Sequence, residues 1–262
     1  MKLGVNTVLF KKFSVREAVL MAKRAGYDGV ELSAIQGMCE HLCLDSWEEQ
    51  ANDLISLREE TGMEYLSMEA ATNDRERLEK AFAAARAIGI PLVNIGSGGV
   101  SNDKASLKER LDMIKDFAAL AKEYGVTLCV KAHVGAAIYN TESTIAMMDA
   151  TPDVGVDMDP SHVHRAGEKP EVAIGDVISR VKHVHIRDCK GDGPSPGEPI
   201  NQTCGRGDID LVGYFAQLIK GNYKGPVCLE IIGPDQDLGN AMAIASESYG
   251  YMNAILKSLG AR

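Results

Sequence analysis

Eight short runs of β-forming residues alternate with longer amphipathic segments along the whole chain, and this alternation restricts the fold more than any other feature. The β-rich runs are LGVN (3–6), GVEL (29–32), EYLSM (64–68), LVNIG (92–96), TLCVK (127–131), GVDMD (155–159), VKHVHI (181–186) and VCLEI (227–231). Helical patterns fill the intervals at 14–26, 47–62, 75–89, 106–125, 141–150, 171–179, 211–220 and 247–259. The first opens on Ser14 with Glu17 three residues later, a capping box, and the first four close on glycine, as helix C-termini often do. Strict βα alternation calls for parallel strands, and eight units in about 250 residues match a closed (β/α)8 TIM barrel. A doubly wound sheet is the rival, but no G-x-G-x-x-G follows the first strand. The expectation is therefore an α/β barrel forming one domain over residues 1–262.

Composition fits that expectation. With 45% hydrophobic and 25% charged residues the chain has ample material for a core, and a net charge of −9 argues against a nucleic-acid partner. No apolar run approaches the roughly 20 residues that span a bilayer, so no membrane partner is expected. MKLGVNTVLF enters a strand directly, without a signal-peptide layout, and the six cysteines are scattered rather than arranged as a disulfide framework. Both features suggest reduced thiols and a cytoplasmic location. A homo-oligomer is compatible with the architecture, since such barrels often pair through helices and strand-end loops.

A barrel of this kind carries its chemistry at the C-terminal ends of its strands. Those ends are polar: Asn6, Glu31, Glu69, Asn94, Lys131 with His133, Asp159 with His162, His185 with Asp188, and Glu230. Asn6 and Asn94 could equally hydrogen-bond loop backbone, and Glu31 and Glu69 could pair with a neighbouring lysine or arginine. In TLCVKAHVG (127–135) strand alternation puts Lys131 and His133 on one side, an odd finish for an otherwise apolar strand. Asp159, His185 and Glu230 leave consecutive strands and suit a hard or borderline divalent ion such as Mn²⁺, Mg²⁺, Co²⁺ or Zn²⁺, with open positions for substrate oxygens. His183 and Asp157 lie one layer deeper; they either orient the groups above or form a satisfied polar pair. The long Gly- and Pro-rich loop 187–208 reads as a lid, in which Arg187, Lys190 and Arg206 either reach an anionic substrate group or are solvated.

Four segments, DMDPSHVHRAGEKP, VKHVHIRDCKGD, GRGDIDLVGYFAQLIKGNYKGPVCLEI and GYDGVEL, together resemble the xylose-isomerase-like barrel superfamily of sugar (phosphate) isomerases and epimerases. The resemblance implies a divalent metal held by Glu, Asp, His and Glu from the fifth to eighth strands. It places Asp159, His185 and Glu230 on three of those ligands and His162 on a histidine that contacts the sugar. The fourth position is Lys131, a departure from the pattern. Three outcomes follow: His133 substitutes as the ligand; the metal keeps three protein ligands while Lys131 works on substrate; or the metal is lost.

The resemblance also implies a small sugar substrate, proton abstraction next to a carbonyl and an enediolate intermediate. Glu230 is then the remaining catalytic glutamate, and Lys131 either a base with a lowered pKa or a charge beside the enediolate. His162, Arg187, Glu69 and Asn6 are the expected substrate contacts. An isomerase or epimerase is the leading expectation. The rivals are a lyase or dehydratase on keto-sugars or oxidised glycosides, and a sugar-binding barrel without activity.

Overall fold

The computed structural model describes residues 1–262. Nine strands and nine α-helices follow one another: β1 (Lys2–Asn6), α1 (Val15–Ala25), β2 (Gly29–Ile35), β3 (Cys39–Glu40), α2 (Trp47–Thr61), β4 (Glu64–Glu69), α3 (Arg75–Ile88), β5 (Leu92–Gly96), α4 (Lys104–Tyr124), β6 (Thr127–Lys131), α5 (Thr141–Ala150), β7 (Gly155–Met158), α6 (Pro160–Arg165), α7 (Pro170–Val177), β8 (Val181–Ile186), α8 (Leu211–Lys220), β9 (Pro226–Leu229) and α9 (Leu238–Ser258). All strands but β3 run parallel, and β1 pairs with both β2 and β9, which closes an eight-stranded barrel. β3 only forms an antiparallel hairpin with the end of β2.

The apolar core of 68 buried residues is continuous, with Phe82, Ile114, Tyr214 and Met252 contributed by the helices and Val93, Val130 and Val184 by the strands. Inside the barrel most residues are small or polar, with Leu66 filling the bottom. A Cβ on Gly4 would stand 2.7 Å from both Cys228 Sγ and Leu66 Cδ1, so the bottom of the barrel admits no side chain there. Register then stacks the polar residues above: Asn6 lies beside Glu31, Glu69 beside Asn94, Lys131 beside Asp157, and Asp157 beside His183.

The expected strands and helices are all present. Four elements are additional: the β3 hairpin, 3-10 turns at Thr7–Phe10 and Pro199–Gln202, and α6, whose six residues are too few to show a period. α9 also begins nine residues before the expected 247, capped by Asp237. No helix is long and apolar enough to cross a membrane, and all six cysteines are free.

Candidate active site

Beneath the mouth of the barrel, two histidines and two carboxylates form a fully buried network. His183 Nδ1 lies 2.9 Å from Asp157 Oδ1, and His185 Nδ1 lies 2.6 Å from Asp157 Oδ2. The other nitrogen of His185 meets Glu31 Oε2. Asn6 and Asn94 donate amide N–H groups to Glu31 at 2.8 and 2.6 Å, and His183 Nε2 reaches Ser67 Oγ at 2.9 Å. Burial disfavours the charged form of His185, but Asp157 and Glu31 outweigh it and hold the imidazole protonated, well above its ordinary range. The same contacts, against burial, hold Asp157 well below its ordinary range and Glu31 below its own. An imidazolium donates at both nitrogens and keeps no lone pair free.

On this platform sits the floor of the pocket. Lys131 Nζ, at the exit of β6, donates to Glu69 Oε1 at 3.0 Å and to Glu230 Oε1 at 2.7 Å. Arg187, just past β8, places Nη2 at 2.8 Å from Asp159 Oδ2 and 3.3 Å from Glu230 Oε2. Neither of these two contacts is an aligned hydrogen bond, so Asp159 Oδ2 and Glu230 Oε2 are buried without hydrogen-bond partners; Arg187 Nη1, which takes part in neither contact, is likewise buried and unpartnered. Burial and the adjacent Glu230 push Glu69 up to about 8, despite the opposing ammonium. Glu230 moves the other way: burial would raise it, yet Lys131, His185 and Arg187 hold it well below the usual carboxylate range. For Lys131 the two glutamates outweigh burial and raise the pKa, so this lysine is a fixed charge and not the lowered-pKa base that sequence allowed.

The walls close a cavity of about 400 Å³, lined by Glu69, Lys131, His133, His162, Arg165, Arg187 and Glu230 together with Ile35, Met38 and Pro194–Pro196. A sugar-sized ligand fits such a volume. His162 stacks on His133 with ring centroids 3.8 Å apart. Its Nδ1 faces Arg165 Nη2 at 2.8 Å and its Nε2 faces Arg187 Nη2 at 2.9 Å. Burial and the flanking cations hold it neutral, well below its ordinary range.

The structure thus brings Glu230, Lys131, His162, Arg187, Glu69 and His133 to one pocket. Asn6 does not reach it. Both hydrogens of its amide are committed, to Glu31 and to Glu69 Oε2 at 2.7 Å, so Asn6 supports the floor from below. Asp188 faces away and accepts backbone N–H groups of Cys189, Gly205 and Ile209, which ties down the following loop. Arg206 pairs with Glu247 on the surface, and Lys190 is exposed. Arg165 is a pocket residue that the sequence reading missed. Its signal was the three-residue spacing from His162, which shares one face of a helical turn.

Two groups of donor atoms lie close enough to hold a metal ion: Glu31, His183 and His185, and Glu69, His185 and Glu230, each within 4.8 Å of one another. The set Asp159, His185, Glu230 and His133 is not gathered in this way. Asp159 faces Arg187, and His133 Nδ1 contacts the Val134 carbonyl at 2.8 Å while its ring packs on His162. In either group that does gather, the donors other than Glu230 Oε2 are already engaged. Glu31 accepts from Asn6, Asn94 and His185; Glu69 and Glu230 share Lys131; both nitrogens of His185 serve carboxylates. A divalent ion between Glu69 and Glu230 would stand beside the Lys131 ammonium, and one at Glu31 would have to displace Asn6, Asn94 and His185, so neither donor set in this arrangement fits one.

Comparison with known proteins agrees with the barrel fold. The inosose dehydratase of Clostridium perfringens (strain 13 / Type A) is 29% identical over 153 residues, 53% of this chain and 51% of that protein. This chain therefore spans about half the length of that curated relative. SgbU of Escherichia coli (strain K12), which carries the provisional name L-ribulose-5-phosphate 3-epimerase, is 26% identical over 254 residues and 88% of both chains. Among solved structures, the D-allulose 3-epimerase of Methylomonas sp. superposes with a TM-score of 0.76 at 18% identity over 98% of both chains. The IOLI protein with a bound zinc atom superposes at 0.75 and 17% identity, over 98% of this chain and 99% of that one. At these identities the structural likeness speaks for the fold. Residues 19–255 match the family described as "Xylose isomerase-like TIM barrel", and this chain belongs to that family.

Proposed function

We propose that the protein is a sugar isomerase that abstracts a proton next to the carbonyl of a polyhydroxy ketone and stabilises the resulting enediolate. The observation that carries this reading is the pair Glu69 and Glu230, joined by one ammonium at the pocket floor with their pKa values displaced in opposite directions. Two carboxylates pushed apart in this way supply an acid and a base at the same pH. Glu230, ionised and with Oε2 unpartnered, takes the proton. Lys131 and the unpartnered Nη1 of Arg187 meet the negative charge that develops on the substrate oxygen. Substrate hydroxyls satisfy Asp159 Oδ2, which no protein donor aligns with. Glu69, protonated below about pH 8, returns a proton to the neighbouring carbon while the hydroxyl proton passes to the former carbonyl oxygen. Transfer of the abstracted proton from Glu230 to Glu69 restores the pair.

The placement of the two carboxylates also bears on the outcome. Oxygens of Glu69 and Glu230 lie within 4.8 Å of each other. Two groups that flank opposite faces of one carbon, each at a near-attack distance of about 3–3.5 Å, stand roughly 6–7 Å apart. At least one oxygen of each glutamate lies closer than that span, which is compatible with same-face transfer between neighbouring carbons, an isomerisation. A second reading is dehydration, in which Glu69 protonates a leaving hydroxyl; the match to inosose dehydratases favours it. Both begin with the same abstraction. The test is incubation with ketoses, ketose phosphates and an inosose, followed by NMR of the products. Isomerised or dehydrated product supports the reading, and a panel without turnover or solvent exchange would refute it.

A further inference from the structure

Family resemblance expects a divalent cation at the barrel mouth, whereas the geometry there points to a cation that is part of the chain. We propose that the Lys131 ammonium is the resident cation of this pocket and that the protein binds no divalent metal at this site. The inference builds on the function proposed above but rests on different observations. Lys131 occupies the position at which the resemblance puts the fourth ligand, a glutamate. Its Nζ lies within hydrogen-bonding distance of both carboxylates of the gathered donor group, Glu69 and Glu230, and is itself almost fully buried. The histidine of that group has each nitrogen against a carboxylate oxygen, Asp157 on one side and Glu31 on the other. The aspartate that completes the expected set faces the Arg187 guanidinium. The expected ligands are thus taken up by groups that the fold supplies: an ammonium at Glu230, a guanidinium beside Asp159, and a carboxylate against each nitrogen of His185.

This substitution is balanced chemically. An ammonium offers N–H donors and one positive charge, enough to hold two carboxylates and to stabilise an enediolate oxygen by hydrogen bonding. It lacks the vacant coordination positions by which a metal grips two adjacent oxygens of a substrate. Arg187 Nη1, buried and unpartnered at the same floor, supplies the second donor that such a grip requires.

The test is metal stoichiometry and thermal stability of the purified full-length chain, wild type against Lys131→Glu, with Mn²⁺, Co²⁺ and Zn²⁺ as probes. Wild type is expected to carry far less than one ion per chain and to melt at the same temperature with EDTA or added metal. Lys131→Glu, which exchanges the ammonium for a carboxylate beside the gathered donors Glu69, His185 and Glu230, is expected to take up about one ion per chain. Its melting temperature should rise by roughly 5–10 °C with saturating metal. Wild type purified with one tightly held ion, whose removal by EDTA lowers the melting temperature, would overturn the proposal. Should Lys131→Glu not fold, the wild-type stoichiometry still decides, and Lys131→Gln provides a neutral variant. These readouts are independent of turnover. A metal-free wild type that exchanges no ketose proton would refute the functional reading alone, and a metal-bound wild type that does exchange would refute only this inference.

Discussion

At the scale of single residues the account depends on three side chains with separable duties. Glu69→Gln keeps the shape and the hydrogen bond to Lys131 but removes the acid. Product formation should fall by about 10²–10⁴-fold, while solvent exchange at the carbon next to the carbonyl continues. The wild-type pH profile carries the corresponding sign. Glu69 works in its protonated form, so kcat/KM should decline as pH rises through about 8, and initial rates between pH 6 and 10 would reveal that limb. A flat profile across that range would remove Glu69 from the role. Lys131 has a structural share as well, because its loss leaves Glu69 buried without an ion-pair partner and Glu230 with Arg187 alone. Lys131→Met should lower the unfolding free energy by roughly 3–5 kcal/mol, measured by denaturant titration.

At the scale of elements, α6 and the loop after β8 form one unit over the pocket. Arg165 reaches from α6 to the Pro194 carbonyl at 2.9 Å, and Gln202 exchanges hydrogen bonds with Ile232 beyond β9. Arg165→Ala should therefore raise KM about tenfold, the worth of one charge-assisted hydrogen bond, with a much smaller effect on kcat. An equal loss in both would mean that the arginine acts on the reacting atoms. The elements were legible in the sequence where their period was long: every barrel strand and each of the eight expected helices. Short pieces were not. The β3 hairpin offers two paired residues and α6 six, lengths over which neither a two-residue nor a 3.6-residue period can be told from chance. Arg165 was overlooked for that reason, since its face of α6 becomes visible only once the helix is placed.

At the scale of the whole molecule, closing the barrel converts separate strand ends into one charge network. The sequence announced the types of those residues but not their partners. Asn6 and His185 sit far apart in the chain, and only closure makes both of them neighbours of Glu31. Pairing of Lys131 with Glu69 likewise joins two strands, β4 and β6, that are not adjacent in the barrel order. Such contacts across the barrel depend on its diameter and tilt, which local patterns do not carry. The central claim is that this network poises Glu230 as the base for proton abstraction. Its most direct test is NMR detection of deuterium incorporated from D₂O into the ketose found to be turned over, wild type against Glu230→Gln. Wild type should label the carbon next to the carbonyl and Glu230→Gln should lose that labelling by at least about 10²-fold. Labelling by Glu230→Gln at the wild-type rate would contradict the account.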